Sequence, residues 1–382
     1  MKREGAHVDR WLLIITVTLV LVGFFIFSSA SLGLLAREGA RFSDVAQSQL
    51  LFGVGGGMLA LLILSQIRYR ALKRLAPYCF GFALLLTALV FVPFFGYEAN
   101  GARRWLLIFG VSFQPAEALK VAYILFLAWY YSIFYTHMED IRFALGGLLG
   151  ALSLSGILLL LQPDTGTFLL LALSGGAIVL VAGLRVRHFA LLAGLMVLGI
   201  LALVAMRPYL LERVTTFLDP AQDPTGSGYQ IKQSLIAVGS GGVLGRGYGQ
   251  SVQKFSYLPE PTSDSIFSVA AEEFGFIGSV SILALYILFA ARGLLISLRA
   301  QDRFGGLTVV GIVILLVSQS FMNVASMIGL MPLTGEPLVF MSHGGTSLMF
   351  ALASVGIVLN VSRYQKVFAR NFARNVTSKR TV

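Results

Sequence analysis

The chain has 382 residues, 57% of them hydrophobic and 12% charged, where an ordinary soluble domain carries about 25% charged residues. Repeated apolar runs of about 20 residues exclude a soluble fold and define an all-α, polytopic integral membrane protein. The net charge of +11 then reads as Lys and Arg gathered in cytoplasmic loops and not as a nucleic-acid-binding surface. The single cysteine, Cys79, excludes an internal disulfide.

In chain order, Met1-Lys2-Arg3 ahead of the apolar run from Trp11 resembles a signal peptide. That run continues to about Leu35, well past a signal core of about 7–15 residues, and is read as an uncleaved first span. Ten spans are expected in all, at 11–35, 49–67, 76–95, 112–135, 143–161, 167–183, 188–206, 266–291, 306–328 and 347–363. The N-terminus, 68–75, 136–142, 184–187, 292–305 and the tail lie on one side and hold 19 of the 29 Lys and Arg. That side is expected to be cytoplasmic, with both termini inside. Residues 1–363 form one ten-span domain, and 364–382 a basic tail suited to anionic lipid or to a cytoplasmic partner.

The opposite side then carries a long connector, about 207–265, together with 96–111, 161–167 and 331–347. These polar segments in a greasy chain point to one site at the outer mouth of the bundle. Without a visible internal repeat, the inverted-repeat signature of many transporters is not supported.

Glu117 and Lys120 follow Gln114-Pro115 at the start of the fourth span. Glu117 suits a helix start, but the positive helix end disfavours Lys120. Three residues apart, the two share a face and can pair towards the bundle interior. Asp164 fits an N-cap of the sixth span and can also serve the site. The glycines of 239–249 can be turn residues or a nest of amides for a phosphate. No βαβ unit supports a nucleotide fold there. Leu258-Pro259-Glu260-Pro261-Thr262-Ser263-Asp264 holds a carboxylate at the bilayer surface, and Phe267 occupies the position where a capping box needs Glu or Gln. Asp264 can be a plain cap of the eighth span, and a carboxylate held partly desolvated near cations is also a candidate general base. Glu272 and Glu273 lie two turns deeper and need partners, which Lys232, Arg246 or Lys254 can provide. No His/Cys/Asp group has zinc spacing, and no G-x-S-x-G elbow is present.

Together these segments resemble the SEDS family (shape, elongation, division and sporulation), the FtsW, RodA and SpoVE proteins. The resemblance runs through Ser28-Ser29-Ala30-Ser31, Asn100-Gly101-Ala102-Arg103-Arg104-Trp105, Gln114-Pro115-Ala116-Glu117 with Lys120, and Gln162-Pro163-Asp164-Thr165-Gly166-Thr167. It continues through the 229–278 stretch to Thr334-Gly335-Glu336-Pro337 and Ser342-His343-Gly344-Gly345. It covers nearly the whole chain, and the order and spacing of the motifs make it specific. It implies a peptidoglycan glycosyltransferase that polymerises lipid II outside the bacterial cytoplasmic membrane, with Asp264 as the base. Asp264 would take the proton of the acceptor GlcNAc 4-hydroxyl as that oxygen attacks the donor MurNAc, and undecaprenyl diphosphate would leave with inversion.

On the same resemblance Arg246, Lys254, Arg103 and Arg104 would face the diphosphate. Glu117, Lys120, Asp164, Ser342 and His343 would line the cavity. A divalent cation such as Mg2+ suits a diphosphate, but no dedicated cage is visible. The segments 253–259 and 226–230 look more like the division-type FtsW branch than RodA. Thr262-Ser263 stands where the family often has His-Thr, and His343 where it often has Tyr, which puts substrate contacts there in doubt. A class B penicillin-binding protein, a single-span transpeptidase, is the implied partner, with other division proteins. The alternative function is a lipid II flippase. Charges clustered in the outer half and short inner loops favour the enzyme, and a pure scaffold leaves those charges without a purpose.

Overall fold

The computed structural model describes residues 8–37, 39–99, 102–108 and 111–365. The basic tail beyond Gln365, and Asn100 and Gly101 of the Asn100–Trp105 motif, lie outside the described residues. Ten helices are long and apolar enough to cross a membrane. They are α1 (Arg10–Arg37), the run Val45–Gln66, α4 (Tyr69–Leu89), α5 (Pro115–Ile133), α6 (Ile141–Leu161), α7 (Thr165–Ala182), α8 (Val186–Met206), α12 (Ile266–Leu298), α13 (Arg303–Met327) and α14 (Gly345–Arg363). The second span joins the end of α2 (Gly39–Gln47) to α3 (Gly57–Gln66) through a wide-turn helical segment, Ser48–Gly56. α13 occupies the middle, packed on α5, α7, α12 and α14. In α8 only Leu192 is buried, so that helix offers its apolar surface to lipid almost all round.

The third span begins earlier than its apolar run. Asn360 Oδ1 accepts the Tyr69 N–H at 3.0 Å and its Nδ2 donates to the Ser65 and Ile67 carbonyls, so the chain turns into α4 at once. The first turns of α4 therefore carry Arg70, Lys73 and Arg74, and the helix ends at Leu89, ahead of Pro93. Residues 96–111, expected only as a polar connector, form with 112–113, expected to open the fourth span, an antiparallel sheet of β1 (Gly96–Ala99), β2 (Ala102–Ile108) and β3 (Val111–Phe113). Gly96 pairs with Leu106, and Leu106 with Phe113. Successive residues of a strand face opposite ways. Arg103 thus turns out to an exposed pair with Glu98, while Arg104 turns in.

The connectors meet in two groups at opposite ends of the bundle. At one end Arg292 pairs with Asp9 at 2.8 Å, the Asp9 N–H donates to Ser362, Arg70 faces Asp302, Arg185 faces Glu139, and Arg303 lies 3.3 Å above the Tyr135 ring. At the other end Arg104 meets 162–163, Arg213 meets Leu333 and Lys120 meets Glu336. These are the two sets that alternation along the sequence defines.

The long connector is mostly helical: α9 (Pro208–Leu218), α10 (Ser227–Ser240) and α11 (Gln253–Ser256). Its glycine-rich part, 241–249, plugs a break in the eighth span, expected at 266–291. Gly275 stands at φ 66°, ψ −161° inside α12. The break frees the carbonyls of Glu272 and Glu273, which accept N–H groups of Arg246 (3.0 Å) and Gly247 (2.9 Å). The N–H groups of Phe276 and Ile277 donate to Gly242 (2.9 Å) and Val243 (3.2 Å). These four bonds give the freed groups partners, as a buried chain requires. A Cβ at Gly275 would lie 2.3 Å from Gly245 N. Gly275→Ala is expected to cost about 2–4 kcal/mol, from the left-handed backbone plus the clash, measured by thermal unfolding in detergent.

Candidate functional site

Asp264 sits in the turn that leads into α12. Glu260, at φ 45°, directs its carbonyl to the N–H groups of Ser263 (3.1 Å) and Ser265 (3.2 Å), and the Ser263 hydroxyl donates to Asp264 Oδ1 at 3.2 Å. Three outside contacts hold the turn. The Ser342 hydroxyl donates to the Ser263 carbonyl at 2.7 Å, and the His343 N–H donates to the Thr262 carbonyl at 2.7 Å. Asn323 Nδ2 lies 2.8 Å from the Asp264 carbonyl and 2.9 Å from that of Glu336. Gln49, from the wide-turn segment, clasps the same loop through the Ser342 carbonyl and the Gly344 N–H. Ser342 and the His343 backbone, expected among the substrate contacts, thus brace the turn that carries Asp264. The His343 ring stacks against Phe27.

A cavity of about 130 Å³ opens beside this turn, lined by Arg213, Ser227, Gln230, Asp264, Asn323 and Glu336 among others. Burial and the neighbouring Glu260 raise the Asp264 carboxyl above its ordinary value, while Ser263, Arg213 and Arg104 pull the other way. Burial lowers the Arg213 guanidinium, which Asp164 and Asp264 help to keep charged. Arg213 Nη1 donates to the Leu333 carbonyl at 3.1 Å, and its guanidinium lies over the Tyr209 ring. Arg104 donates from Nε to the Gln162 carbonyl at 3.1 Å and from Nη2 to that of Pro163.

Below the cavity lies a chain of buried charges. Lys120 Nζ is 2.9 Å from Glu117 Oε1, 3.0 Å from Gln319 Oε1 and 3.9 Å from Glu336 Oε2. The Thr167 hydroxyl is 3.0 Å from both Glu336 Oε1 and Asp164 Oδ2. Asp164 also caps α7, accepting the Thr167 N–H at 3.3 Å, so it belongs to both the cap and the cluster. Glu117 and Glu336 converge on the Lys120 ammonium. Among the described residues no group of three or more His, Cys, Asp and Glu is arranged to hold a metal ion.

Three of the four expected diphosphate cations are paired with carboxylates. Lys254 is fully buried, with Nζ 2.7 Å from Glu273 Oε1 and 2.8 Å from Ser29 Oγ. Arg246 lies 3.5 Å from Glu272 Oε1, and Lys232 stays exposed. The pairing with Glu272 and Glu273 is the second role their positions allowed. Arg103, on the outer face of β2, is held by Glu98.

Arg213, Asn323, Gln319 and Glu336 were not among the expected site residues. Glu336 had a readable signal, since it is the only charged residue between Arg303 and Arg363. Arg213 had none, being one of several charges in a connector rich in them.

The fold and this site define a multi-pass membrane protein with a carboxylate-bearing cavity at one end of its bundle. The FtsW, RodA and SpoVE family model, described as "Cell cycle protein", matches residues 10–367, and the chain belongs to this family. It is 38% identical over 369 residues to stage V sporulation protein E of Bacillus subtilis (strain 168), which spans 96% of this chain and 100% of that protein. It is 36% identical over 365 residues to a probable peptidoglycan glycosyltransferase FtsW of Geobacter sp. (strain M18), covering 95% and 98% of the two chains. Among solved structures, a chain of a peptidoglycan synthase complex that coordinates polymerization and crosslinking superposes with a TM-score of 0.75 at 32% identity, over 94% of this chain and 99% of that one. RodA of Thermus thermophilus gives 0.67 at 29%, over 94% and 98%.

Proposed function

We propose that the chain is a peptidoglycan glycosyltransferase that polymerises lipid II at the outer face of the cytoplasmic membrane during cell division. The observation that carries this reading is the cavity that Asp264 and Arg213 both line, held in a chain whose relatives are named for that activity. Asp264 removes the proton of the acceptor 4-hydroxyl while O4 bonds to the donor C1. The bond from C1 to the diphosphate oxygen breaks, and its electron pair leaves with undecaprenyl diphosphate, inverting C1. Arg213, which lines the cavity, and Arg104 would meet the developing charge, since Lys254, Arg246 and Arg103 are engaged by Glu273, Glu272 and Glu98. A divalent ion would bind through the diphosphate, without a protein cage. The termini lie in the cytoplasm, on the end where Lys and Arg gather. A class B transpeptidase is the partner that cross-links the product.

The purified chain with its transpeptidase should convert lipid II into glycan strands. Lipid II crossing protein-only vesicles with no polymer formed would support the flippase instead. Arg213→Gln is expected to raise KM for lipid II about ten- to a hundredfold, the loss of one charge-assisted contact. An unchanged KM would remove Arg213 from the diphosphate.

A further inference from the structure

The Thr167 hydroxyl lies 3.0 Å from Asp164 Oδ2 and 3.0 Å from Glu336 Oε1. A hydroxyl has one hydrogen, so it donates to only one of them. With both carboxylates ionised, the other contact sets lone pair against lone pair in a buried place. It becomes a hydrogen bond once one carboxyl carries a proton and donates it to Thr167. The charges agree. Glu117 and Lys120 face the group from α5, Asp164 from α7, Arg104 from β2 and Arg213 from α9, with Glu336 and Asp264 on their own loops. Glu260, exposed beside Asp264, adds a solvated carboxylate; without it, three cations against four carboxylates already leave the set one proton short of neutrality.

We propose that Glu336 takes the proton on from Asp264 after each sugar addition and holds it on the Glu336–Thr167–Asp164 chain, an inference that rests on the glycosyltransferase reading. The cavity that both carboxyls line is about 130 Å³, and one water needs only about 10–15 Å³. Water can therefore link the two. The O–H bond of protonated Asp264 breaks, a water passes a proton on, and an O–H bond forms on Glu336. Asp264 returns to the carboxylate, no electrons change hands, and the proton leaves to solvent by the same cavity before the next addition.

Passing between the two states moves no heavy atom, and loading relieves the lone-pair contact between Thr167 and Asp164. Empty, the Glu336 carboxylate accepts from Thr167 and faces Lys120. Loaded, it donates to Thr167, which turns its hydrogen to Asp164. Gly166 makes the approach possible, because a Cβ there would meet Glu336 Oε1 at 2.8 Å. Burial pushes the Glu336 carboxyl up to about 7, with Lys120 lowering it and Asp164 and Glu117 raising it. Both states are then populated near neutral pH. Glu336 acts through Asp264, not on the sugars.

The test is lipid II polymerisation by the full-length chain across the neutral pH range. The wild-type rate should fall as pH drops through about 7, because protonated Glu336 cannot accept. Glu336→Gln keeps the size and the hydrogen bond from Thr167. It should be about ten- to a hundredfold slower, lose that acidic limb, and recover in proportion to added imidazole with KM unchanged. A purely structural role would produce neither the lost limb nor the imidazole dependence. Should Glu336→Gln not fold, Thr167→Val removes the bond that stabilises the carboxylate and should move the limb to higher pH. An unmoved limb in either variant, with Asp264→Asn inactive, overturns the relay alone. An active Asp264→Asn overturns the reading beneath it.

Discussion

Asp264→Asn is expected to abolish glycan polymerisation while the protein folds and binds as before. The amide has the same shape, and its oxygen can still accept the Ser263 hydroxyl that meets Oδ1 at 3.2 Å. The backbone braces from Ser342, His343 and Asn323 do not involve the carboxylate at all. What disappears is the basic oxygen pair. Removal of a positioned base is worth about 10²–10⁴ in rate, and with a sugar hydroxyl as nucleophile the upper end applies. The raised carboxyl matters here, since a base held above the ordinary carboxylate range has more drive to take a proton. Arg213 and Arg104 keep it ionised while burial raises it. Gel analysis of lipid II products, alongside thermal unfolding of the same preparation, reads both parts. Polymer at the wild-type rate from a folded Asn variant would mean that another group is the base.

The spans were legible because about 20 apolar residues have few other uses, and Asp264 because two prolines and a polar heptad interrupt that pattern. The break at Gly275 was not. Glu272-Glu273-Phe274-Gly275-Phe276 keeps a helical alternation, and the residues that fill the break, 242–247, lie about thirty positions earlier. Local periodicity carries no record of such a contact. The cations show the same limit. Sequence identifies Lys254 and Arg246 as charges near the site, and their use depends on which carboxylate the fold delivers. Arg103 and Arg104, adjacent in sequence, separated only when β2 formed and set them on opposite faces. Asp164 was open between cap and function because both need the same carboxylate at the same helix start, and the structure gives it both neighbours.

Lys254→Met should destabilise the protein by about 3–5 kcal/mol, the usual cost of removing one partner from a buried ion pair. Both Lys254 and Glu273 side chains are fully buried, and Glu273 Oε1 also accepts from Ser29 at 2.6 Å. Without the ammonium, a carboxylate remains in the bundle with only neutral donors. Lys254→Met with Glu273→Gln should recover most of the loss, since a neutral pair of similar volume is often no worse than the ion pair. The pair joins α1, through Ser29, to the loop that reaches Asp264 ten residues later. The single variant should therefore lose rate by loosening the Asp264 turn, and the double variant should regain rate along with stability. If Lys254→Met instead kept its unfolding temperature and raised only KM for lipid II, Lys254 would be a diphosphate contact after all. The distinction is physical: a cation held for substrate must stay partly solvated and unpaired until substrate arrives, and Lys254 is neither.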